Sequence, residues 1–342
     1  MCALEARDER LARWLTDHLG LRDVTPGRLL GGGNSNVTQL VEHRDGQVVI
    51  RRPPDNAISA SAANGVRREY AMLQAIAGEV RVPRPLAQCD DTDVVGQPFI
   101  VVEFVDGVAI TTELPAAYTR DAQTLDRVGA ALVDGIAAAH RLDWRALPVR
   151  RPSAPPEDYV PRQIERWVAA RRKDAVRELP LVERVATWLQ SRIPEARASG
   201  VLHGDFHLDN TLFDRSAPEL AAIIDWELAT LGDPMADLGL MLAFWGERAV
   251  EAPGFAFVQA VTRDVPGLVS REALAERWSY ASGLDASALE FYRVFALWRL
   301  AVIVEGAYVL HSKGLVDDDY SRNLEHDVPS LLTEAAIVAG IA

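Results

Sequence analysis

Apolar residues recur along the chain with two different periods, and the change of period divides the sequence into segments. Residues 4–19 carry apolar side chains at helical spacing, which predicts an N-terminal helix. The runs VTQLV and VVI that follow are β-rich, and Asp45-Gly46 between them is a hairpin signal. Residues 62–76 return to helical spacing, and FIVVEFV at 99–105 predicts another strand. This part of the chain therefore predicts a small sheet accompanied by helices.

Beyond Asp106-Gly107 the helical period dominates, and only two short β-like runs, VLH and AAIID, interrupt it. The segments with helical spacing are 122–142, 161–172, 182–192 and most of 234–342. We therefore predict two domains, an N-terminal lobe over residues 1–105 and a helical C-terminal lobe over residues 106–342.

Composition narrows the class of protein. The 342 residues include 36 Lys and Arg against 49 Asp and Glu, which gives a net charge of −13 and argues against a nucleic-acid partner. Cys2 and Cys89 are too few for a disulfide framework, so we expect a reducing, cytoplasmic location. Charges scattered through the N-terminus argue against a signal peptide. Arg299 and Glu305 interrupt the longest apolar segment, so we expect no membrane span.

The strongest chemical signal is VLHGDFHLDNTLFD, which lies between predicted strands. Asp205 and Asn210 are separated by 210 − 205 = 5 positions, the offset of kinase catalytic loops of the form H-x-D-x-x-x-x-N. A further carboxylate, Asp225, ends the apolar run AAIID, where a metal-holding Asp is expected. Aspartate and asparagine also cap turns in unrelated chains. The preceding His203-Gly204 and the second carboxylate favour the catalytic interpretation.

HGDFHLDN together with IIDWELATLGDPMADLG resembles the aminoglycoside phosphotransferase and choline kinase-like family, whose fold is protein-kinase-like. These motifs are particularly similar to the phosphotransferase domains associated with acyl-CoA dehydrogenases and to their free-standing bacterial relatives. The resemblance implies an α+β fold of two lobes, a small N-terminal antiparallel-sheet lobe and a larger, mainly helical C-terminal lobe. It also implies that Asp205 is the catalytic base or hydroxyl-positioning residue and that Asn210 and Asp225 bind Mg²⁺.

The N-terminal lobe contains a candidate phosphate loop and a candidate phosphate-binding cation. Backbone amides of Gly33, Asn34, Ser35 and Asn36 can cradle phosphate, although Asn36 stands where a kinase loop has its third glycine. A glycine-rich turn before a strand is the alternative.

The lobe has no lysine, so Arg51 is the candidate cation, with Arg52 as its neighbour and Glu69 as its predicted helix partner. Arginine keeps the charge and binds phosphate through a bidentate fork. The alternative is a solvated arginine pair at a strand end and a surface glutamate.

Three further assignments follow from position alone. Residues from Glu103 to Val105 fall where the family's hinge meets adenine through backbone groups. We interpret Asp233 and Asp237 as helix-start residues of the scaffold and His207 as a hydrogen-bonded loop histidine. The acidic run 317–319 suggests a cationic acceptor, but acids at the start of the last helix explain it better.

These features predict an ATP- and Mg²⁺-dependent phosphotransferase that acts on the hydroxyl of a small molecule. An alternative is a nucleotide-binding pseudokinase with a regulatory role, which the absent lysine and incomplete glycine loop would suit. A protein kinase is disfavoured, because the chain leaves no room after Asp225 for a long activation segment. The resemblance suggests a hydroxylated acyl thioester or related metabolite as acceptor, whereas the wider family includes antibiotics, choline and sugars. The sequence leaves the acceptor and the oligomeric state open.

Overall fold

The computed structural model describes residues 3–30, 36–55, 60–195, 198–246 and 260–342. The chain divides into two compact units. The first unit comprises Met1–Asp106, Leu147–Val149 and Ala221–Ala229, and the second comprises Gly107–Ala146, Arg150–Leu220 and Thr230–Ala342. The chain therefore returns to the first unit after residue 106, a feature that no local sequence pattern announces.

Within the described residues, the first unit carries most of the strands and the second most of the helices. The helices are α1 (Ala3–Leu19), α2 (Ala60–Ile76), α3 (Thr92–Val95), α4 (Ala122–His140), α5 (Tyr159–Asp174), α6 (Pro180–Gln190), α7 (Met235–Ala243), α8 (Arg271–Ser282), α9 (Leu289–Ser312) and α10 (Asp319–Val338). The strands are β1 (Thr25–Leu29), β2 (Val37–His43), β3 (Gly46–Arg52), β4 (Pro85–Cys89), β5 (Phe99–Glu103), β6 (Gly200–Leu202), β7 (Thr211–Phe213), β8 (Leu220–Ile223) and β9 (Thr230–Gly232).

The first unit is built on an antiparallel five-stranded sheet in the order β1-β2-β3-β5-β4. The predicted hairpin is confirmed, because β2 and β3 pair around Asp45-Gly46 with His43 opposite Gly46. The sequence missed β4, since the prolines in VPRPLAQC disguise a strand whose first residue is Pro85. The sequence also left β1, α3, β7 and β9 unpredicted, whereas the bounds of the segments that it did predict between residues 4 and 225 agree to within a few residues.

Alternation along β3 sends neighbouring residues to opposite faces of the sheet. Val48 and Ile50 belong to the hydrophobic core that α1 covers with Leu11 and Leu15. Arg51 therefore points to the other face, where α2 packs. Its placement on a central strand explains why this arginine is only 9% exposed.

The second unit is organised around α9, which packs against α5, α6, α7 and α10. By length and composition alone α9 would suffice to cross a membrane, but 56% of its most apolar window is buried inside the protein. A core helix meets the same criterion, so this feature is weak evidence for a membrane span. Arg177 compensates the buried Glu305 of α9 through bonds of 3.1 and 2.5 Å to its two carboxylate oxygens.

The close approach of α7 to α9 depends on a glycine. A Cβ atom at Gly239 would lie 2.6 Å from the backbone oxygen of Tyr292, closer than carbon and oxygen tolerate. We therefore expect Gly239→Ala to lower the free energy of unfolding by about 1–3 kcal/mol through overpacking. Denaturant unfolding monitored by tryptophan fluorescence measures this change.

The matched control is Gly306→Ala, which lies on α9 with no heavy atom within 4 Å of the added Cβ. Alanine is favoured over glycine inside a helix, so we expect this variant to be unchanged or more stable by up to about 1 kcal/mol. Equal destabilisation of both variants would contradict the packing explanation.

Candidate active site

In the first unit, Arg51 joins two carboxylates that are far apart in sequence. Its Nε lies 2.9 Å from an Oε atom of Glu69 on α2, and its Nη2 donates to Oδ1 of Asp225 over 2.6 Å. Glu69 is 1% exposed, so this ion pair is almost fully desolvated. The structure thus brings together three of the residues that the sequence singled out. The alternative interpretation, in which Arg51 is solvated at a strand end and Glu69 is a surface charge, does not hold, because both side chains are buried.

Asp225 lies two residues beyond the end of β8 and adopts an unusual backbone conformation. Its φ of 66° and ψ of 57° lie in the left-handed region, which is costly for a residue other than glycine. The turn is held on both sides, since the Ile223 amide donates to Arg81 over 2.7 Å and the buried Trp226 indole donates to the Ile223 carbonyl over 3.0 Å. The surrounding structure therefore imposes a strained conformation on a candidate metal ligand.

Glu227 is a site residue that sequence reasoning missed. The buried Asn36 donates a hydrogen bond from Nδ2 to its Oε2. The sequence feature that could have indicated Glu227 is its position two residues after Asp225 in the otherwise apolar segment IIDWELATL. Of the predicted phosphate loop, Asn36 alone can be placed, because Gly33, Asn34 and Ser35 lie outside the described residues.

Arg51 is the cation that acts on Glu69, and Asp225 and Glu227 are the carboxylates that act on it. Burial raises the pKa of Glu69 to about 7. The charge and hydrogen bond of Arg51 oppose this rise, whereas Asp225 and Glu227 add to it. Burial lowers the pKa of Arg51, yet the charges of Glu69, Asp225 and Glu227 outweigh burial and raise it overall. Carboxylates gathered in this way suit a divalent cation.

Arg52 points to the opposite face of β3 and has different partners. Its Nη1 donates to the Pro53 carbonyl over 2.9 Å and to Asp55 over 2.8 Å. Glu103 ends β5, and its amide donates to the Arg84 carbonyl over 2.9 Å, so this amide is already used. Val105 follows the strand and is half-buried.

In the second unit, the predicted catalytic loop connects β6 to a single 3₁₀ turn at Leu208–Asn210. The Nδ2 of Asn210 donates to the backbone carbonyl of Asp205 over 2.8 Å and lies 3.3 Å from its Oδ2. The five-residue spacing is therefore the length that lets the asparagine close the loop onto the aspartate. Asn210 Oδ1 makes no hydrogen bond within the described residues.

His207 forms hydrogen bonds within this loop. Its Nε2 lies 3.4 Å from Oδ2 of Asp205, and its Nδ1 bonds to Asp209. Burial lowers the pKa of His207, but the bonds to the two carboxylates outweigh it and raise the pKa to about 10. Desolvation likewise raises the pKa of Asp205, and the bond and charge of His207 overcome it, lowering the pKa to about 2.

These contacts leave Asp205 ionised and accessible. Its side chain is 43% exposed, and Oδ1 has no hydrogen-bond donor within the described part of the chain. A carboxylate with so low a pKa is a weak base. Accepting and orienting a hydroxyl suits it better than removing a proton in advance.

The expectation that Asp237 serves only as a helix-start residue needs correction. The carboxylate of Asp237 accepts the backbone amides of His203 over 2.7 Å and Gly204 over 2.9 Å, immediately before Asp205. His140 Nε2 lies 3.3 Å from the same carboxylate, and the indole of Trp278 donates to His140 Nδ1 over 2.9 Å. Asp237 therefore positions the loop. The sequence alone does not distinguish an aspartate that only stabilises the start of a helix from one that also binds a distant loop.

Asp233 does act as a helix-start residue. Its Oδ1 accepts the amide of Met235 over 3.0 Å at the beginning of α7, and its Oδ2 accepts the hydroxyl of Tyr292.

The donor atoms present suit magnesium. Mg²⁺ prefers carboxylate and amide oxygens, keeps several waters and shares its coordination with phosphates, so it requires few protein ligands. Oδ2 of Asp225 and Oδ1 of Asn210 are hard oxygens without hydrogen-bond partners among the described residues. Within that part of the chain, no group of three or more His, Cys, Asp or Glu side chains is arranged for a metal. Each of these two oxygens, one in each unit, is therefore of the kind that Mg²⁺ takes as a ligand when it also binds phosphate.

The raised pKa of Glu69 predicts a specific pH dependence of stability. Because its folded-state pKa of about 7 lies above the ordinary 4.5, its contribution is complete below about pH 4.5 and is lost as pH rises through 7. We expect the free energy of unfolding of the wild type, relative to Glu69→Gln, to fall by roughly 1–3 kcal/mol over that interval. Urea unfolding at several pH values, without divalent cations, measures this difference. Parallel curves for the two proteins would contradict the assignment.

Comparisons with known proteins agree with this geometry. The model of the Phosphotransferase enzyme family matches residues 26–274, which is more than half of the chain. Acyl-CoA dehydrogenase family member 10 of Mus musculus is 29% identical over 305 residues, covering 88% of this chain and 28% of that protein. The chain spans between 28% and 39% of the length of this and two other such relatives.

Solved structures show the same fold. An aminoglycoside phosphotransferase candidate from Ralstonia eutropha is 25% identical with a TM-score of 0.77, covering 97% of this chain and 98% of that one. The GDP complex of aminoglycoside 2'-phosphotransferase-IIIa is 17% identical with a TM-score of 0.62, covering 96% and 99% of the two chains. Family match, relatives and fold lead to one conclusion: the chain belongs to the phosphotransferase enzyme family and has the protein-kinase-like fold of the aminoglycoside phosphotransferases.

Proposed function

We propose that this phosphotransferase uses ATP and Mg²⁺ and transfers the γ-phosphate to a hydroxyl of a small molecule. The observation that carries the proposal is the bridge that Arg51 makes between Glu69 and Asp225. Kinases hold a metal-bound triphosphate with a cation on a strand, paired to a glutamate on a helix, and with a nearby aspartate that binds the metal. Arg51, Glu69 and Asp225 form the same arrangement.

The first unit would bind the nucleotide. Arg51 would reach a phosphate oxygen with the N–H groups that its bonds to Glu69, Thr38 and Asp225 leave over, since a guanidinium has five such donors. Arg52 is instead engaged with Asp55. The loop ending at Asn36 would cradle phosphate through its amides, and the backbone from Glu103 to Val105 would meet the adenine. Support for a purine nucleotide comes from the GDP bound to the related aminoglycoside phosphotransferase.

Magnesium, when bound, would be held by Asp225 and Asn210 and would neutralise charge on the phosphate oxygens. Asp205 would accept a hydrogen bond from the acceptor hydroxyl and aim its oxygen at the γ-phosphorus. The new bond joins that oxygen to phosphorus, and the bond from phosphorus to the β–γ bridging oxygen breaks, which releases ADP. The hydroxyl proton passes through Asp205 to solvent as the bond forms.

The alternative is a nucleotide-binding pseudokinase with a regulatory role, favoured by arginine in place of the strand lysine. Both candidate metal ligands and Asp205 are nevertheless present, and binding alone does not need all three. Mg²⁺-dependent ATP hydrolysis that is lost in Asp225→Ala would exclude the alternative.

Removing either carboxylate tests the proposed roles. We expect Asp205→Asn and Asp225→Ala to lower turnover by about 10²- to 10⁴-fold, because each removes a group that acts on the reacting atoms. Steady-state ADP release with an acceptor found by screening hydroxylated metabolites measures the loss. Asp285→Asn, which changes a surface turn bonded to Ser287, is the matched control. Turnover within a few fold of the wild type in either site variant would show that its role is misassigned.

Arg51 is tested by nucleotide binding. A charge-assisted hydrogen bond contributes roughly 1.5–3 kcal/mol, so Arg51→Ala should weaken ATP·Mg²⁺ binding by about ten- to a hundredfold. Arg51→Lys should retain part of the affinity, since the charge survives but the fork does not. Isothermal titration calorimetry measures both, with Arg52→Ala as the control expected to bind normally. An unchanged dissociation constant and turnover in Arg51→Ala would move the phosphate contact elsewhere.

A further inference from the structure

Arg299 projects from the middle of α9 onto the catalytic loop. Its Nη1 donates to the backbone carbonyl of Gly204 over 3.2 Å, and Gly204 directly precedes Asp205. The charge of Arg299 also contributes to lowering the pKa of Asp205. An arginine on a largely apolar core helix is costly to desolvate, so its position requires a reason.

Holding the loop uses only one nitrogen of this guanidinium. Nε is buried without a hydrogen-bond partner, and Nη2 donates to nothing within the described residues. Nε and Nη2 form one edge of the planar group, and two parallel N–H donors on such an edge match the two oxygens of a carboxylate or phosphate. Arg299 is thus anchored on one side and leaves an oxyanion-binding edge unused on the other.

Tyr159 supplies a second unused polar group from α5, which packs against α9. Its side chain belongs to the buried core with 4% exposure, yet its hydroxyl makes no hydrogen bond with the described part of the chain. Burial raises the pKa of Tyr159 and the charge of Arg299 opposes this rise most strongly; Asp237 adds to the rise, whereas Arg166 and Arg162 oppose it. Three arginines and one carboxylate therefore act electrostatically on this tyrosine.

The acidic run 317–319, which a cationic acceptor would need, is already committed to local structure. Asp318 caps α10 by accepting the Ser321 amide over 2.6 Å. Asp317 and Asp319 both pair with Arg322, at 2.8 and 2.7 Å. Local structure therefore accounts for the three acids of this run.

We propose that Arg299, assisted by Tyr159, binds an oxyanion of the acceptor whose hydroxyl is oriented by Asp205. The acceptor class is then a hydroxylated carboxylate or phosphate monoester rather than a polyamine such as an aminoglycoside. Since Gly204 and Asp205 are consecutive, the oxyanion and the hydroxyl lie only a few atoms apart on the acceptor. This inference rests on the proposed phosphotransferase function and adds the acceptor's charge to it.

Matched acceptor pairs test the inference. Hydroxycarboxylates of three to six carbons are compared with their amides, and polyol phosphates with the parent polyols, with kanamycin as the cationic member. We expect anionic members to be phosphorylated with kcat/KM at least about tenfold above their neutral partners, because two charge-assisted bonds are gained. The two arms separate carboxylate from phosphate recognition.

Variants separate binding from loop positioning. Arg299→Gln should raise KM for the preferred anion by about ten- to a hundredfold but KM for its neutral partner by less than about threefold, because any loss of loop positioning falls on both acceptors alike. Arg299→Lys should recover part of the affinity, and Tyr159→Phe should raise KM by about three- to tenfold. Arg322→Gln, at a surface ion pair, is the control expected to behave as wild type.

Several results would overturn the inference. These are equal use of neutral and anionic partners, preference for kanamycin, or an Arg299→Gln variant that loses kcat and ATP hydrolysis without a rise in KM. The absence of turnover with every anionic member would also overturn it, even where ATP hydrolysis depends on Asp225 and the proposed function stands. Loss of the proposed function would show itself differently, as no Asp225-dependent hydrolysis or transfer with any compound.

Discussion

The polar centre of the first unit depends on one buried guanidinium. Arg51 sits on a central strand and bonds to Glu69 on the neighbouring helix and to Asp225, which is 174 residues further along the chain. A buried charge is tolerated only when it is paired, and removing one partner leaves the others uncompensated. The sheet, the helix and the returning segment 221–229 are therefore tied to the same charge.

Carboxylates gather around that charge. Asp225 and Glu227 repel Glu69 and raise its pKa in addition to burial, while Arg51 opposes the rise. Asp225 additionally holds a left-handed backbone conformation, fixed by the anchored Trp226. Strain at a position where ionisable groups perturb one another is typical of functional sites.

In the second unit, two aspartate carboxylates, those of Asp237 and Asp205, differ in what they bind. Asp237 is buried and spends its carboxylate on two backbone amides, which fixes the loop before Asp205. Asp205 is partly exposed and keeps one oxygen unused. Preorganisation of this kind suits the hydroxyl-orienting role proposed for Asp205, since a carboxylate already held in place does not need to move during a reaction. Arg299 adds a positive charge to the same loop, so the loop is held from two helices of the unit.

The sequence by itself determined most of the longer helix and strand segments, the hairpin at Asp45-Gly46, and the order of loop, strand cation, predicted catalytic loop and second carboxylate. These follow from short-range periodicity and from spacings that chemistry requires, such as the five residues between Asp205 and Asn210. Only the tertiary structure distinguished the carboxylates that bind other protein groups from the carboxylate that stays accessible. Asp237 and Asp205 differ in their partners and exposure, and the roles of Glu227 and Arg299 depend on contacts with residues 191 and 95 positions away. Hydrophobic periodicity indicates on which face of its own helix or strand a residue lies. Which residue it contacts there depends on the packing of segments that are far apart in sequence.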